Sequence, residues 1–287
     1  MSTTEYKVSA ADVKKLRDLT AAGMMDCQKA LIEAQGDFET AITILRKKGL
    51  KVSASRQDNE LNHGAAITVL SPDHKIGVAL LLGCETDFVA INKDFIALAK
   101  QVAQIALNHK IDQIDQLLAA NFEGNLSVQE KLTEQMGRVG ENIKVLQLAL
   151  LQADYVHAYV HLSGEEHKVA TLVAIQIAGG SSITEAQKEA AHKIALQATS
   201  MKPLVAQRTQ VAQDILDREL EVIKDKLSKE NKPEKMMESI TKGMIEKFYK
   251  EVVLNEQAFL FDDKQTVANF LNTNGLVCIE MARLSLK

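Results

Sequence analysis

The chain is 287 residues long, 46% hydrophobic and 25% charged, with a net charge of −4. That length buries a sizeable core and suits two or more domains, while the acidic balance argues against a nucleic-acid binder, which carries a basic surface. Three well-separated cysteines, Cys27, Cys84 and Cys278, form neither a C-x-x-C pair nor a disulfide framework, so a reducing compartment is expected. The start, Met1 to Lys7, has neither a signal peptide's apolar stretch nor a transit peptide's Arg-rich pattern, and no apolar run approaches the roughly 20 residues of a membrane span. The expectation is a soluble cytoplasmic protein.

Residues 1–54 read as three short helices. Ser9 with Asp12 makes a first cap, and Val13, Leu16 and Leu19 form a helical stripe. A second helix runs from about Met25 to Ala34 and ends near Gly36; Asp37 caps a third that carries Phe38, Ala41, Ile42 and Leu45 and stops at Gly49. Arg46-Lys47-Lys48 reads as a solvated helix end, and the polar stretch Ser53 to His63 as a linker.

The remainder contains an internal duplication. Ala65 to Leu70 is a strand, Ser71-Pro72-Asp73 a turn and Lys75 to Cys84 a second strand, with a helix from Asp87. Tyr155 to Leu162, Ser163-Gly164-Glu165 and Lys168 to Ala178 repeat that order, with a helix from about Thr184 to Ala198. Each unit closes with a short helix and a last strand: Val128 to Val139 with Ile143 to Leu150, then Thr266 to Leu271 with Leu276 to Leu284. The economical reading is α+β: two similar units, each a three-stranded antiparallel sheet covered by helix, occupying 55–151 and 152–203 plus 248–287. Residues 204–247 are an insertion in the second unit. Leu216, Leu220, Ile223 and Leu227, then Met236, Ile240, Met244 and Phe248, give two apolar stripes of an antiparallel helical hairpin, broken by Asn231-Lys232-Pro233 with Pro233 opening the second helix.

Cys84-Glu85-Thr86-Asp87-Phe88-Val89 sits where an apolar strand turns abruptly into a helix. Thr86 suits the N-cap and Asp87 the first turn, where the helix dipole favours a carboxylate. Phe88, Phe95, Ala99, Val102 and Ala106 share one face at helical spacing, which reads as core. The same junction also places an acid and a large aromatic side by side on a tight turn.

Catalytic chemistry is thin. There is no G-x-x-x-x-G-K-[ST] loop, no G-x-G-x-x-G and no H-E-x-x-H, and Gly179-Gly180-Ser181-Ser182 is a plain strand-to-helix loop. His157 and His161 face one side of a strand without a Cys, Asp or Glu at ligand spacing, so no metal is expected. Cys27 reads as a small buried thiol, and Asp262-Asp263 as a cap for the following helix. No cofactor and no substrate-transforming site are expected.

Thr86-Asp87-Phe88-Val89 resembles the TDFV signature of the bacterial elongation factor Ts family. The stretch from Leu16-Arg17 through Gly23-Met24-Met25-Asp26-Cys27 to Ala30-Leu31 resembles that family's N-terminal block, Gly140-Glu141-Asn142-Ile143 its GENI, and Lys247-Phe248, Glu251-Val252 and Gln257-Ala258-Phe259 its KF…EV…QPF stretch. The resemblance implies a ubiquitin-associated-like N-terminal module, a coiled-coil hairpin and a guanine-nucleotide exchange factor of elongation factor Tu. It implies partner contacts by Thr86, Asp87, Phe88 and Val89 at the magnesium site and by Arg17, Met24 and Met25 from the N-terminal module. It leaves open a homodimer, or a heterotetramer with elongation factor Tu. The rival reading is a scaffold or chaperone that binds without promoting exchange. Ala21, Gln28, Ala258 and Gln197 depart from the family pattern, as does Lys144-Val145-Leu146-Gln147, which lacks an arginine pair; His192 matches it. The chain also ends just after its last strand, without the C-terminal helical module of some relatives.

Overall fold

The computed structural model describes residues 7–286 apart from Ala21, Gln57, Ser181 and residues 230–233, with the backbone alone described at 53, 228, 229 and 234–236. The expectations for Met1 to Tyr6, Ala21, Ser181, the break at Asn231-Lys232-Pro233 and the Met236 side chain lie outside the described residues.

Three helices open the chain: α1 (Ala10–Thr20), α2 (Met24–Glu33) and α3 (Phe38–Arg56). The Ser9 hydroxyl accepts the Asp12 N–H at 3.0 Å, and Asp37 accepts the Thr40 N–H at 2.8 Å, so both expected caps form. Val13, Leu16, Cys27, Ala30, Leu31, Ala34 and Ala41 make a separate small core. Helix α3 does not stop at Gly49. It continues to Arg56, so Arg46 and Lys48 lie mid-helix and pair with Glu134 and Asp26. Gly49 is instead a point of close approach. A Cβ there would lie 2.7 Å from the Thr133 carbonyl oxygen, and one on Gly137 would lie 2.8 Å from the Gly49 Cα.

The first unit follows as β1 (His63–Leu70), β2 (Ile76–Cys84), the single turn α4 (Asp87–Ala90), α5 (Lys93–His109), α6 (Ile114–Ala119), a small hairpin β3 (Asn121–Glu123) and β4 (Leu126–Ser127), α7 (Val128–Val139) and β5 (Lys144–Gln152). Its sheet order is β1-β2-β5, antiparallel throughout. The second unit runs β6 (Tyr155–Ser163), β7 (Glu166–Ile177), α8 (Glu185–Met201), the hairpin α9 (Gln213–Lys229) and α10 (Glu234–Val252), β8 (Ala258–Phe259), β9 (Asp262–Thr266), α11 (Val267–Thr273) and β10 (Leu276–Ser285). Its antiparallel sheet has the order β10-β7-β6. Asp262 and Asp263 lie in β9, and Thr266 caps α11 by accepting the Asn269 N–H, because a polar hairpin intervenes where the sequence suggested a direct helix start.

The continuous apolar runs in β2 and β7 have a simple cause. In β2, Val78, Leu80 and Leu82 face Phe95, Ala99, Val102 and Ala106 of α5, while Ala79 and Leu81 face the other sheet. In β7, Val173, Ile175 and Ile177 pack with Ala191, Ile194 and Ala198 of α8, while Ala170, Leu172 and Ala174 meet the first sheet. The two sheets thus stand back to back between outer helical layers, and their central strands are buried on both faces, which removes period-two alternation.

Candidate functional site

The strand-to-helix junction of the first unit is built differently from that of the second. After β7 the chain turns through Gly179 and Gly180, both at positive φ, and enters α8 through the Thr184 cap. After β2 it makes an extra helical turn first. Thr86 caps α4 by accepting the Val89 N–H, α4 ends at Ala90, and Asn92 caps a fresh helix by accepting the Asp94 and Phe95 N–H groups. The single helix expected from Asp87 is therefore two, and the break rotates Phe88 off the core stripe. Phe95 is fully buried, whereas Phe88 is 78% exposed. The reading of Phe88 as core is overturned.

Asp87 beside it is also exposed, and its carboxylate accepts the Phe88 N–H at 3.0 Å. Val89 is half-buried against the first core and Ala90 is fully buried, so these two mount the turn. Behind it lies a polar lock. The Glu141 carboxylate accepts the Glu85 and Thr86 N–H groups at 3.2 and 3.1 Å and the Thr86 hydroxyl at 2.7 Å. Glu85 in turn accepts the Asn142 N–H at 2.6 Å, the Asn59 side-chain amide at 2.9 Å and Arg56 of α3 at 2.9 Å. Burial alone would raise the Glu85 carboxyl, but the Asn142 N–H, Asn59 and Arg56 together hold it below the usual glutamate value. The Cys84 thiol, buried and next to Glu141, is pushed up to about 12 and stays protonated, donating to the Thr86 carbonyl.

The glutamate of Gly140-Glu141-Asn142-Ile143 was not singled out from sequence for any role. Gly140 ends α7 at φ +75°, and β5 begins at Lys144, which pairs with Gly83. The sheet register is what brings residues 141–142 opposite 85–86, and only the pairing of β2 with β5 could have revealed it. The linker reading of Ser53 to His63 is corrected in the same place. Its first part is helix, and Arg56 and Asn59 tie it to Glu85.

The N-terminal module presents a second surface. Arg17 is exposed on α1, and Met24 and Met25, at the start of α2, are 61% and 64% exposed, with Leu19 nearby in sequence and equally open. Arg17, Gly23 and Met24 line a shallow groove with Arg138 of α7, and Arg138 pairs with Asp94 in the first turn of α5 at 2.9 Å. The groove thus leads from the module toward the start of α5, one short segment beyond Phe88.

Elsewhere the polar chemistry is internal. His157 Nε2 meets His192 Nδ1 at 3.2 Å, and its Nδ1 faces the Tyr155 hydroxyl at 3.3 Å; its neighbour is thus His192, not His161. Gln197 is fully buried and donates to the Ala258 carbonyl while accepting the Leu260 N–H. Cys27 is buried, and desolvation raises its thiol. Among the described residues no group of three or more His, Cys, Asp or Glu side chains could hold a metal, and no helix is long and apolar enough to cross a membrane.

An exposed aromatic and acid on a braced turn, with a second exposed apolar surface beside a groove, define a class of protein that meets other proteins through presented side chains. The family model described as Elongation factor TS matches residues 85–287. Similar chains are named Elongation factor Ts in Christiangramia forsetii, 43% identical over 93% of both chains, and in Flavobacterium psychrophilum, 42% identical over 93% of both. A third, from Cytophaga hutchinsonii, is 36% identical over 97% of this chain and 99% of its own. The chain belongs to the elongation factor Ts family.

Proposed function

We propose that this protein is the guanine-nucleotide exchange factor of elongation factor Tu in translation elongation, the activity its family membership implies. It acts by binding, without transforming a substrate. A factor that binds the nucleotide-free GTPase more tightly than the nucleotide-bound form must weaken nucleotide binding by the same factor, since the coupling is reciprocal.

Asp87 and Phe88 carry the step. Phe88 enters an apolar pocket of the GTPase domain and displaces a switch element. Asp87 perturbs the polar network around the partner's magnesium ion, which bridges phosphate and protein. With the metal dislodged, phosphate charge is poorly compensated and GDP leaves faster. Thr86 and Val89 form the mount from which the two project. Arg17, Met24 and Met25 grip a second part of the partner, and adaptable methionines at a helix start suit such a contact. The observation that carries this reading is the 78% exposure of Phe88 on a turn whose Glu85, Thr86, Phe88 and Val89 amides are engaged.

The test is release of labelled GDP from elongation factor Tu with and without this protein. Acceleration at micromolar protein is expected, and binding without acceleration would return the rival reading of a scaffold. Asp87→Asn keeps the shape and removes the charge. It should slow GDP release in the presence of magnesium and have little effect once the metal is chelated. An equal defect under both conditions would show that Asp87 acts elsewhere than on the metal.

A further inference from the structure

The turn that carries Asp87 and Phe88 has little reason to hold its shape unaided. α4 is four residues long, with N–H bonds from Ala90 to Thr86 and Ile91 to Asp87 at 3.2 and 3.1 Å, and a helix that short does not repay its own nucleation. The sheet does not hold it either, because the ladder between β2 and β5 ends at Gly83 and Lys144. Beyond that pair the two segments are joined by carboxylates in place of ladder bonds, and the bonds cross. Glu141 of the later segment takes the Glu85 and Thr86 N–H groups of the earlier one, and Glu85 takes the Asn142 N–H in return. Such charge-assisted bonds are stronger and more directional than neutral ones.

We propose that Glu141 is a positioning residue for nucleotide exchange. It touches neither the partner's nucleotide nor its metal. It fixes the entry to α4 so that Asp87 and Phe88 are presented in one direction before the partner arrives, and the ordering cost of binding falls accordingly. Glu85 completes the brace by anchoring the same turn to Arg56 at the end of α3. This inference rests on the exchange reading above. Glu141 is only half-buried, and its acceptor bonds end on the Glu85 and Thr86 groups of the turn.

The variants are Glu141→Ala, Glu141→Gln, Phe88→Ala and the double variant E141A/F88A, read by GDP release from elongation factor Tu and by amide hydrogen exchange of the free protein. Glu141→Ala should retain a native circular dichroism spectrum, lose protection at the Glu85 and Thr86 amides, and lower exchange efficiency by about tenfold, as loss of preorganisation does. Glu141→Gln should stay within about threefold of wild type, because its amide oxygen can accept both N–H groups while its nitrogen donates to the Thr86 hydroxyl. With Phe88 already removed, Glu141→Ala should cost less than about twofold more, the non-additivity expected of two residues acting as one unit. Wild-type exchange by Glu141→Ala, or a full additive loss in the Phe88→Ala background, would overturn the positioning role. A wild-type protein that fails to release GDP at all would instead defeat the exchange reading on which the role depends. The two amides, read in the free protein, keep these failures apart: unchanged protection in Glu141→Ala would refute the brace whatever the partner does.

Discussion

Phe88 and Phe95 lie seven residues apart, the spacing of one helical face, yet one is 78% exposed and the other fully buried. Replacing each with alanine should separate their tasks. Phe88→Ala removes an aromatic that the core does not use, so the melting temperature should hardly move. Productive binding should lose about 2 kcal/mol, or roughly thirtyfold in exchange efficiency, as central aromatic anchors do. Phe95→Ala should cost on the order of 3–5 kcal/mol of stability, since it empties the middle of the first core. A large drop in melting temperature for Phe88→Ala, with exchange lost only in proportion, would return Phe88 to the core. The junction was legible in sequence as an N-cap followed by an acid and an aromatic. The rotation of Phe88 was not, because periodicity runs smoothly through the break. The signal that could have found it is Asn92, a second cap followed by an acid at Asp94, five residues into what looked like one helix. Glu141 carried no local signal, since a glutamate between glycine and asparagine looks like any loop acid.

At the scale of elements, strands were easier to read than helix ends. Turn residues and apolar runs marked β1, β2, β6 and β7 to within two residues: β2 and β7 are central strands buried on both faces and read as continuous apolar runs, and β1 and β6 are tied to them by short turns. Gly49 was misread because glycine in a helix has two meanings. It can end a helix, or it can let another backbone approach, and only the packing partner decides. Here the partner is α7 at Thr133 and Gly137. Gly243, midway along α10, has nothing within 4 Å of where a Cβ would stand. The two glycines therefore predict opposite signs for one substitution. Gly243→Ala should stabilise the hairpin by about 0.5–1 kcal/mol, the helix-propensity difference. Gly49→Ala gains the same propensity but sets a methyl 2.7 Å from a carbonyl oxygen that cannot move without the helix, so overpacking of about 1–3 kcal/mol should win. Urea denaturation of both variants checks this. Stabilisation by Gly49→Ala would mean that α3 and α7 do not cross as closely as the structure has them. The crossing also bears on function, since α3 joins the module that carries Arg17, Met24 and Met25 to the residues that brace the turn.

At the scale of the whole molecule, the two units meet through small and branched apolar side chains, Ala66, Ala79, Leu81, Leu151, Val156, Ala170, Leu172 and Ala174, with histidines at the margin. His74, from the first unit's strand turn, stacks on Tyr155 of the second at 5.5 Å, and Tyr155 and His192 flank His157. Burial, with His192 and His74 close by, pushes the His157 imidazole down to about 4. Burial and Lys100 lower His167 as well, against a bond to the Ala66 backbone that works the other way. Both rings are therefore neutral in the folded chain at pH values where an unfolded histidine, with its ordinary value near 6.5, has taken a proton. The sign follows from linkage: the unfolded state binds more protons between about pH 6.5 and 4, so stability is complete above that window and falls as the pH drops through it. Allowing for the solvent that reaches the ring, His157 contributes on the order of 1–2 kcal/mol to that fall. Glu85 acts lower down. Its depressed carboxyl adds stability above the ordinary glutamate value, and that stability is lost only as the pH falls through its own value. Unfolding free energies measured from pH 7.5 down to about 3.5 should decline, and His157→Gln should flatten the decline in its upper part while leaving the acid limb, where the carboxylates titrate, in place. An unchanged slope above the acid limb in His157→Gln would show that the seam between the units does not hold this histidine neutral.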